Sequence, residues 1–187
     1  MRYKGESLPS IKSFDKDGTV LYATSISKTI SPGLRVGVAI GSEELIRKLT
    51  VAKQAVDVHT NTYAQAIVNE FIASGELDRQ LERAIPIYKH KMDKFIECLD
   101  KYMPKSFEFT RPEGGLFIWG EFKDGTNVKD KFKEALANKV AFVIGSEFYA
   151  DGKGDNCMRL NFSNANDEQI EIGVKRLSEI FKEKNNG

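Results

Sequence analysis

Cysteine is scarce: Cys98 and Cys157 are the only two in 187 residues. Two thiols cannot build the framework of bridges on which small secreted domains depend. Histidine is as scarce, and neither His59 nor His90 stands at a metal-site spacing from a cysteine. No apolar run reaches the length that spans a bilayer, and the first residues carry no secretory leader pattern. An excess of one charge is missing too. Lys and Arg number 28 against 27 Asp and Glu, a formal net charge of +1, so no general field gathers nucleic acid or an anionic membrane. The one extended basic spacing, Lys89, Lys91 and Lys94, alternates with Asp93 and Glu97 and reads as a solvated helix face. These absences predict a protein of the reducing cytoplasm, with no metal, no membrane and no nucleic acid for this part. Cys98 falls in an apolar-periodic helix and is expected as a small core residue; Cys157 opens a strand-like run.

What is present suits a soluble globular class. The chain is 41% hydrophobic and 29% charged, long enough for one sizeable core or two small ones. It opens on "MRYKGESLPSIKSFD", already polar and loop-like, with no strand or helix ahead of it, as if begun in the middle of something. Thr19 to Thr24 and Leu34 to Gly41 read as strands. Ser42 is the predicted cap of a helix with Glu43 and Glu44 in its first turn and Leu45, Leu49, Ala52 and Val56 on one stripe. Thr60 is expected to cap the next helix, whose apolar face is Ala64, Ile67, Val68, Phe71 and Ile72, and Gly75 to stop it. A long helical pattern follows, with Tyr88, Met92, Phe95, Ile96, Leu99 and Met103 on its apolar stripe. Pro86 inside it predicts a kink or a fresh start.

After Pro104 the pattern changes to four strand-like runs, "FEFT", "GGLFIWGEF", "VAFVIG" and "CMRLNFS". Helices are predicted over Asn127 to Asn138 and Asp167 to Lys184, the latter with Ile170, Val174, Leu177 and Phe181 on one face. The first third thus reads α/β and the remainder α+β, a small sheet covered by helices. Trp119 is expected in the core, Gly114 and Gly115 in a turn or a close approach, His59 in a helix-start contact and His90 inert.

The stretch that asks for chemistry is Ala23 to Gly41, "ATSISKTISPGLRVGVAIG". Lys28 stands among Thr24, Ser25, Ser27 and Thr29, which hydrogen-bond without supplying a carboxylate. A carboxylate would hold the amine charged; partial burial and a nearby cation, for which Arg35 is the candidate, would free it as a nucleophile. Hydroxyls with an arginine also suit a phosphate, and a lysine nucleophile beside a phosphate points to pyridoxal phosphate. Spacing alone leaves a second reading open, two ordinary surface cations flanking a Pro-Gly turn. For Arg159, a structural ion pair is likewise open.

"SISKTISPGLRVG" resembles the lysine motif of the class I/II aminotransferases, which have the fold type I pyridoxal-phosphate architecture. The resemblance continues in order through "AKQAVDVHTNTYAQ", "RPEGGLFIWGEF", "VAFVIGSEFYADG" and "NCMRLNFS", and is greatest to the 2-aminoadipate and kynurenine aminotransferase branch. It implies the C-terminal part of that fold: a remnant of the large-domain sheet over residues 1–75, a connecting helix over 76–103, and a small α+β domain over 104–187. It implies pyridoxal 5′-phosphate as cofactor, with amino acids and 2-oxo acids as substrates. Lys28 would form the Schiff base and carry the proton; Ser25 and Arg35 would bind the cofactor phosphate, with Ser27 as a further candidate. Arg159 would take the substrate α-carboxylate. Thr60 and Asn61 would lie near the partner subunit of a full-length homodimer. The family's glycine-rich phosphate loop, stacking aromatic ring, asparagine and pyridine-pairing aspartate precede the lysine, and the sequence from "MRYKGE" onward contains none of them. Three expectations follow: a C-terminal aminotransferase fragment inactive by itself, the effector domain of a winged helix-turn-helix regulator, or an inert small-domain piece.

Overall fold

The computed structural model describes residues 1–182; the Glu183 and Lys184 end of the predicted last helix lies outside the described residues. The chain packs as two units. One is Gly5–Ala84 with Met1; the other is Ile85 onward with Arg2–Lys4.

In the first unit, Tyr22–Ser25 (β1) and Gly37–Ile40 (β2) pair antiparallel, from Tyr22 opposite Ile40 to Ser25 opposite Gly37. Gly37 is needed for that approach, since a Cβ there would stand 3.1 Å from the carbonyl oxygen of Thr24. The helix Glu43–Asp57 (α1) starts after Ser42 as predicted, with Glu43 and Glu44 favourably placed at its positive end, but the Ser42 hydroxyl makes no capping bond. The next helix, Thr62–Ala73 (α2), is capped by Asn61, whose side chain accepts from the Ala64 amide at 3.1 Å. The predicted cap, Thr60, is one residue early; its carbonyl accepts from the Gln65 side chain at 2.9 Å. The core of this unit is small: Ile26, Val36, Ala64 and Val68, with Ile30 and Leu34 against them. The predicted stripe of α1 is helical in spacing yet buries nothing, and Val56 is 84% exposed.

The helix Glu76–Tyr102 (α3) runs without interruption through Pro86, so no new helix begins there. Proline removes one amide donor, and the turns on either side keep theirs.

The second unit is built on an antiparallel sheet of Phe107–Phe109 (β3), Phe117–Phe122 (β4), Val143–Ile144 (β5) and Cys157–Asn161 (β6), in the order β3-β4-β6-β5. Period-2 alternation divides β4: Ile118, Gly120 and Phe122 are buried, while Phe117, Trp119 and Glu121 take the other face. Trp119 is therefore half-buried on the outer face, not in the core as expected. Helices Val128–Ala137 (α4) and Asp167–Phe181 (α5) join α3 in covering the inner face. Ile170, Val174, Leu177 and Phe181 of α5 are all buried, and Met92, Phe95 and Leu99 of α3 meet the same core. A capping box at Asn166 and Gln169 starts α5. Cys98 and Cys157 are buried, and burial pushes both thiols up from their ordinary range. Gly115 takes a left-handed φ of 83° in the turn before β4, where Tyr3 donates to its carbonyl oxygen.

Candidate functional site

Lys28 ends a short 3-10 turn, Ile26–Lys28, that follows directly from β1. The Ser25 hydroxyl accepts from the Ser27 amide at 3.2 Å and so starts that turn. The Ile26 amide donates to the Val36 carbonyl at 3.1 Å, and both side chains are buried. This tie holds the lysine segment beside the residue that follows Arg35. Between them a second 3-10 turn, Pro32–Leu34, hands over to Arg35, which adopts a left-handed backbone with φ 54°. A non-glycine residue there is strained by about 1 kcal/mol or more, which the paired strands on both sides must offset. Among the described residues the Arg35 guanidinium bonds only the Pro32 carbonyl, at 3.2 Å.

Ser25, Ser27, Lys28 and Arg35 thus come from one pair of linked turns. No Asp or Glu lies between Asp17 and Glu43 in the sequence. Neither Lys28 nor Arg35 has an ion-pair partner among the described residues. The loop therefore offers hydroxyls and two unneutralised cations, a donor set that suits a phosphate. Lys28 is exposed: the described residues do not supply the partial burial that a nucleophilic amine needs.

Arg159 belongs to the second unit. It sits on the outer face of β6, opposite Trp119 of β4 and Val143 of β5. Its guanidinium carbon is 4.2 Å from the ring centre of Phe117 and 4.8 Å from that of Phe148. Its Nε is buried and without a hydrogen-bond partner, and no carboxylate faces it among the described residues. Among the described residues it therefore forms no ion pair. An unpartnered buried donor costs about 1–3 kcal/mol, which makes Arg159 a candidate for a ligand that accepts. The sequence pointed to Arg159 but missed Phe117 and Phe148; the alternation of β4 places Phe117 on the same face, while only the fold delivers Phe148.

The remaining candidates are local. His59 contacts the Thr60 carbonyl at 2.9 Å, as expected of a helix-start residue. His90 is not idle: it pairs with Asp167 at 2.8 Å and ties α3 to the start of α5.

The class I and II aminotransferase model matches residues 3–177, nearly the whole chain. The chain belongs to the class I and II aminotransferase family. Aromatic-amino-acid aminotransferase 1 of Thermococcus litoralis is 39% identical over 183 residues, covering 98% of this chain and 44% of the relative. The 2-aminoadipate transaminase of Thermus thermophilus is also 39% identical, over 96% of this chain and 46% of its own. Among solved structures, the kynurenine aminotransferase of Pyrococcus horikoshii superposes with a TM-score of 0.93 at 36% identity, covering all of this chain and 46% of that one. This aminotransferase-family chain spans less than half the length of the relatives it matches. Helix-turn-helix regulators match at lower identity, which fits the regulator expectation less well than the enzyme one.

Proposed function

We propose that the chain is the C-terminal part of a pyridoxal-phosphate-dependent aminotransferase that moves an amino group between an amino acid and a 2-oxo acid. The observation that supports this reading most is the carboxylate-free loop carrying Ser25, Ser27, Lys28 and Arg35 in a member of that family. The loop fits the cofactor: hydroxyls and a guanidinium suit its phosphate, and the Lys28 amine suits its aldehyde. When bound, the cofactor acts as an electron sink for the carbanion formed at the substrate α-carbon. Ser25, Ser27 and Arg35 would anchor the phosphate end, Arg35 through a planar fork. Lys28 Nζ would hold the cofactor between turnovers and then carry a proton to and from the substrate α-carbon. Arg159 would take the substrate α-carboxylate and fix which bond to that carbon is broken. The acidic partner of the pyridine nitrogen is expected from the length that relatives have and this chain does not span. For that reason these 187 residues alone are expected to show little or no transamination. A homodimer of the longer protein is part of the same proposal.

The test joins this chain to the N-terminal portion of the Thermococcus litoralis relative and adds pyridoxal 5′-phosphate. Reduction with borohydride, digestion and mass spectrometry then map the modified lysine. Labelling concentrated on Lys28 is the expected result. Labelling spread over surface lysines, with Lys28 no more modified than Lys48 or Lys53, would overturn the assignment.

A further inference from the structure

The surroundings of Arg159 carry more than its own role. Strand pairing places Trp119 directly opposite Arg159 and Phe117 on the adjacent diagonal of the same face. The segment after β5 turns at Gly145–Phe148 and returns Phe148 to that face. Phe148 meets Trp119 edge-on, with ring centres 5.5 Å apart and planes at 83°. Tyr149 follows it onto Trp119 at 6.1 Å. Room for the turn depends on Gly145, where a Cβ would lie 2.4 Å from the Cys157 Cβ and 2.6 Å from the Gly154 carbonyl oxygen. Phe117, Trp119, Phe148 and Arg159 therefore form one cluster, two of whose rings lie within 5 Å of the guanidinium carbon.

The guanidinium carbon lies over both rings, whose faces attract its charge without acting as conventional hydrogen-bond acceptors. In most proteins a carboxylate steadies a half-buried arginine. Among the described residues none does here, and Nε has no partner. The rings take over the steadying role without occupying an in-plane donor. Phe148 is 48% exposed, so its ring is only partly covered by the residues around it.

The geometry points to Phe148, seconded by Phe117, as a positioning residue that clamps the plane of Arg159 so that it meets a carboxylate with both forks aligned. This rests on the reading of Arg159 as the carboxylate site. A clamped guanidinium loses less rotational freedom when the ligand arrives, so the clamp acts on affinity for the carboxylate, and in the longer enzyme on KM more than on kcat.

The experiment uses the chain as it stands, with 15N in its arginine side chains and pyruvate as the probe. The Arg159 Nε–H resonance is assigned by its loss in Arg159→Lys. Two quantities are read: rotation about the Arg159 Nε–Cζ bond, and the pyruvate concentration that half-shifts the resonance. Phe148→Leu, which keeps bulk and removes the ring, is expected to speed the rotation and weaken pyruvate about three- to tenfold. Phe148→Tyr, which keeps the ring, is expected to stay within about twofold of the parent chain on both. Circular dichroism checks that each variant keeps its fold. Unchanged rotation and affinity in Phe148→Leu would overturn the clamp, as would a Phe148→Tyr variant as impaired as Phe148→Leu. Pyruvate binding is then compared in Arg159→Lys by ligand-observed NMR. If it is undiminished, the carboxylate reading falls and the clamp's purpose with it. If it is lost while Phe148→Leu binds normally, only the clamp falls.

Discussion

Glu171 accepts a hydrogen bond from the Tyr102 hydroxyl at 2.6 Å and faces Lys175 at 2.9 Å. Those two neighbours, with Lys94 nearby, hold its carboxyl at about 2, below its ordinary value of 4.5. The folded form binds the proton less readily than the unfolded one. Its contribution to stability is therefore present above the unfolded value and is lost as pH falls from about 4.5 through about 2. Tyr102→Phe removes the largest cause of the shift. The prediction is a shallower loss of urea resistance between pH 5 and 2 in Tyr102→Phe than in the parent chain, read from denaturation midpoints across that range. A parallel slope in the two proteins would contradict this account of Glu171. At the same scale, local composition singled out Lys28 and Arg35, whereas Arg159 was named only through the family resemblance. It gave no hint of Phe148, whose importance comes from a turn that returns it beside a residue eleven positions later in the chain. It also misjudged Trp119, since hydrophobicity alone does not tell which face of a strand a large ring occupies.

Among the elements, β4 bears the most weight in the second unit. Ile118 is fully buried between its neighbours, and Ile118→Ala is expected to cost about 2–5 kcal/mol. Gly120 is tighter still, because a Cβ there would stand 2.0 Å from the buried ring of Phe107. Gly120→Ala is expected to destabilise by about 1–3 kcal/mol or more, as overpacking does. At the N-terminus of α5, Asn166→Ala removes one half of a capping box and should cost about 1 kcal/mol. Chemical denaturation ranks the three, with Asn166→Ala the mildest; a ranking with Asn166→Ala the most harmful would contradict the packing account. Period 3.6 on α3 and α5 and period 2 on β4 made these elements legible in the sequence, since their apolar residues face one core. The run "VAFVIG" was less legible: only Val143 and Ile144 pair, because the backbone turns away at Gly145. Likewise α1 shows helical spacing without burial, so periodicity there reveals the helix and not what covers it.

For the whole molecule, the two units differ in how much core they own. Among the described residues, the second buries eighteen in one cluster and the first four. Tyr22, Val38 and Ile40 on the two-stranded sheet, and Leu49, Val51 and Val56 on α1, remain exposed. Relatives more than twice as long as the matched region have further chain to place, and these 187 residues alone are expected to lack turnover with an amino acid, 2-oxoglutarate and pyridoxal 5′-phosphate. Robust turnover by the chain alone would refute that. The family was readable from ordered motifs along nearly the whole length; the two units divide inside the continuous helix α3, between Ala84 and Ile85. The central claim concerns one amine, and one comparison addresses it most directly. With the N-terminal portion of a relative restored, amino-group transfer and the yellow colour of bound cofactor are measured for Lys28 and for Lys28→Ala. The account predicts that the substitution abolishes both; their survival at parental levels would contradict it.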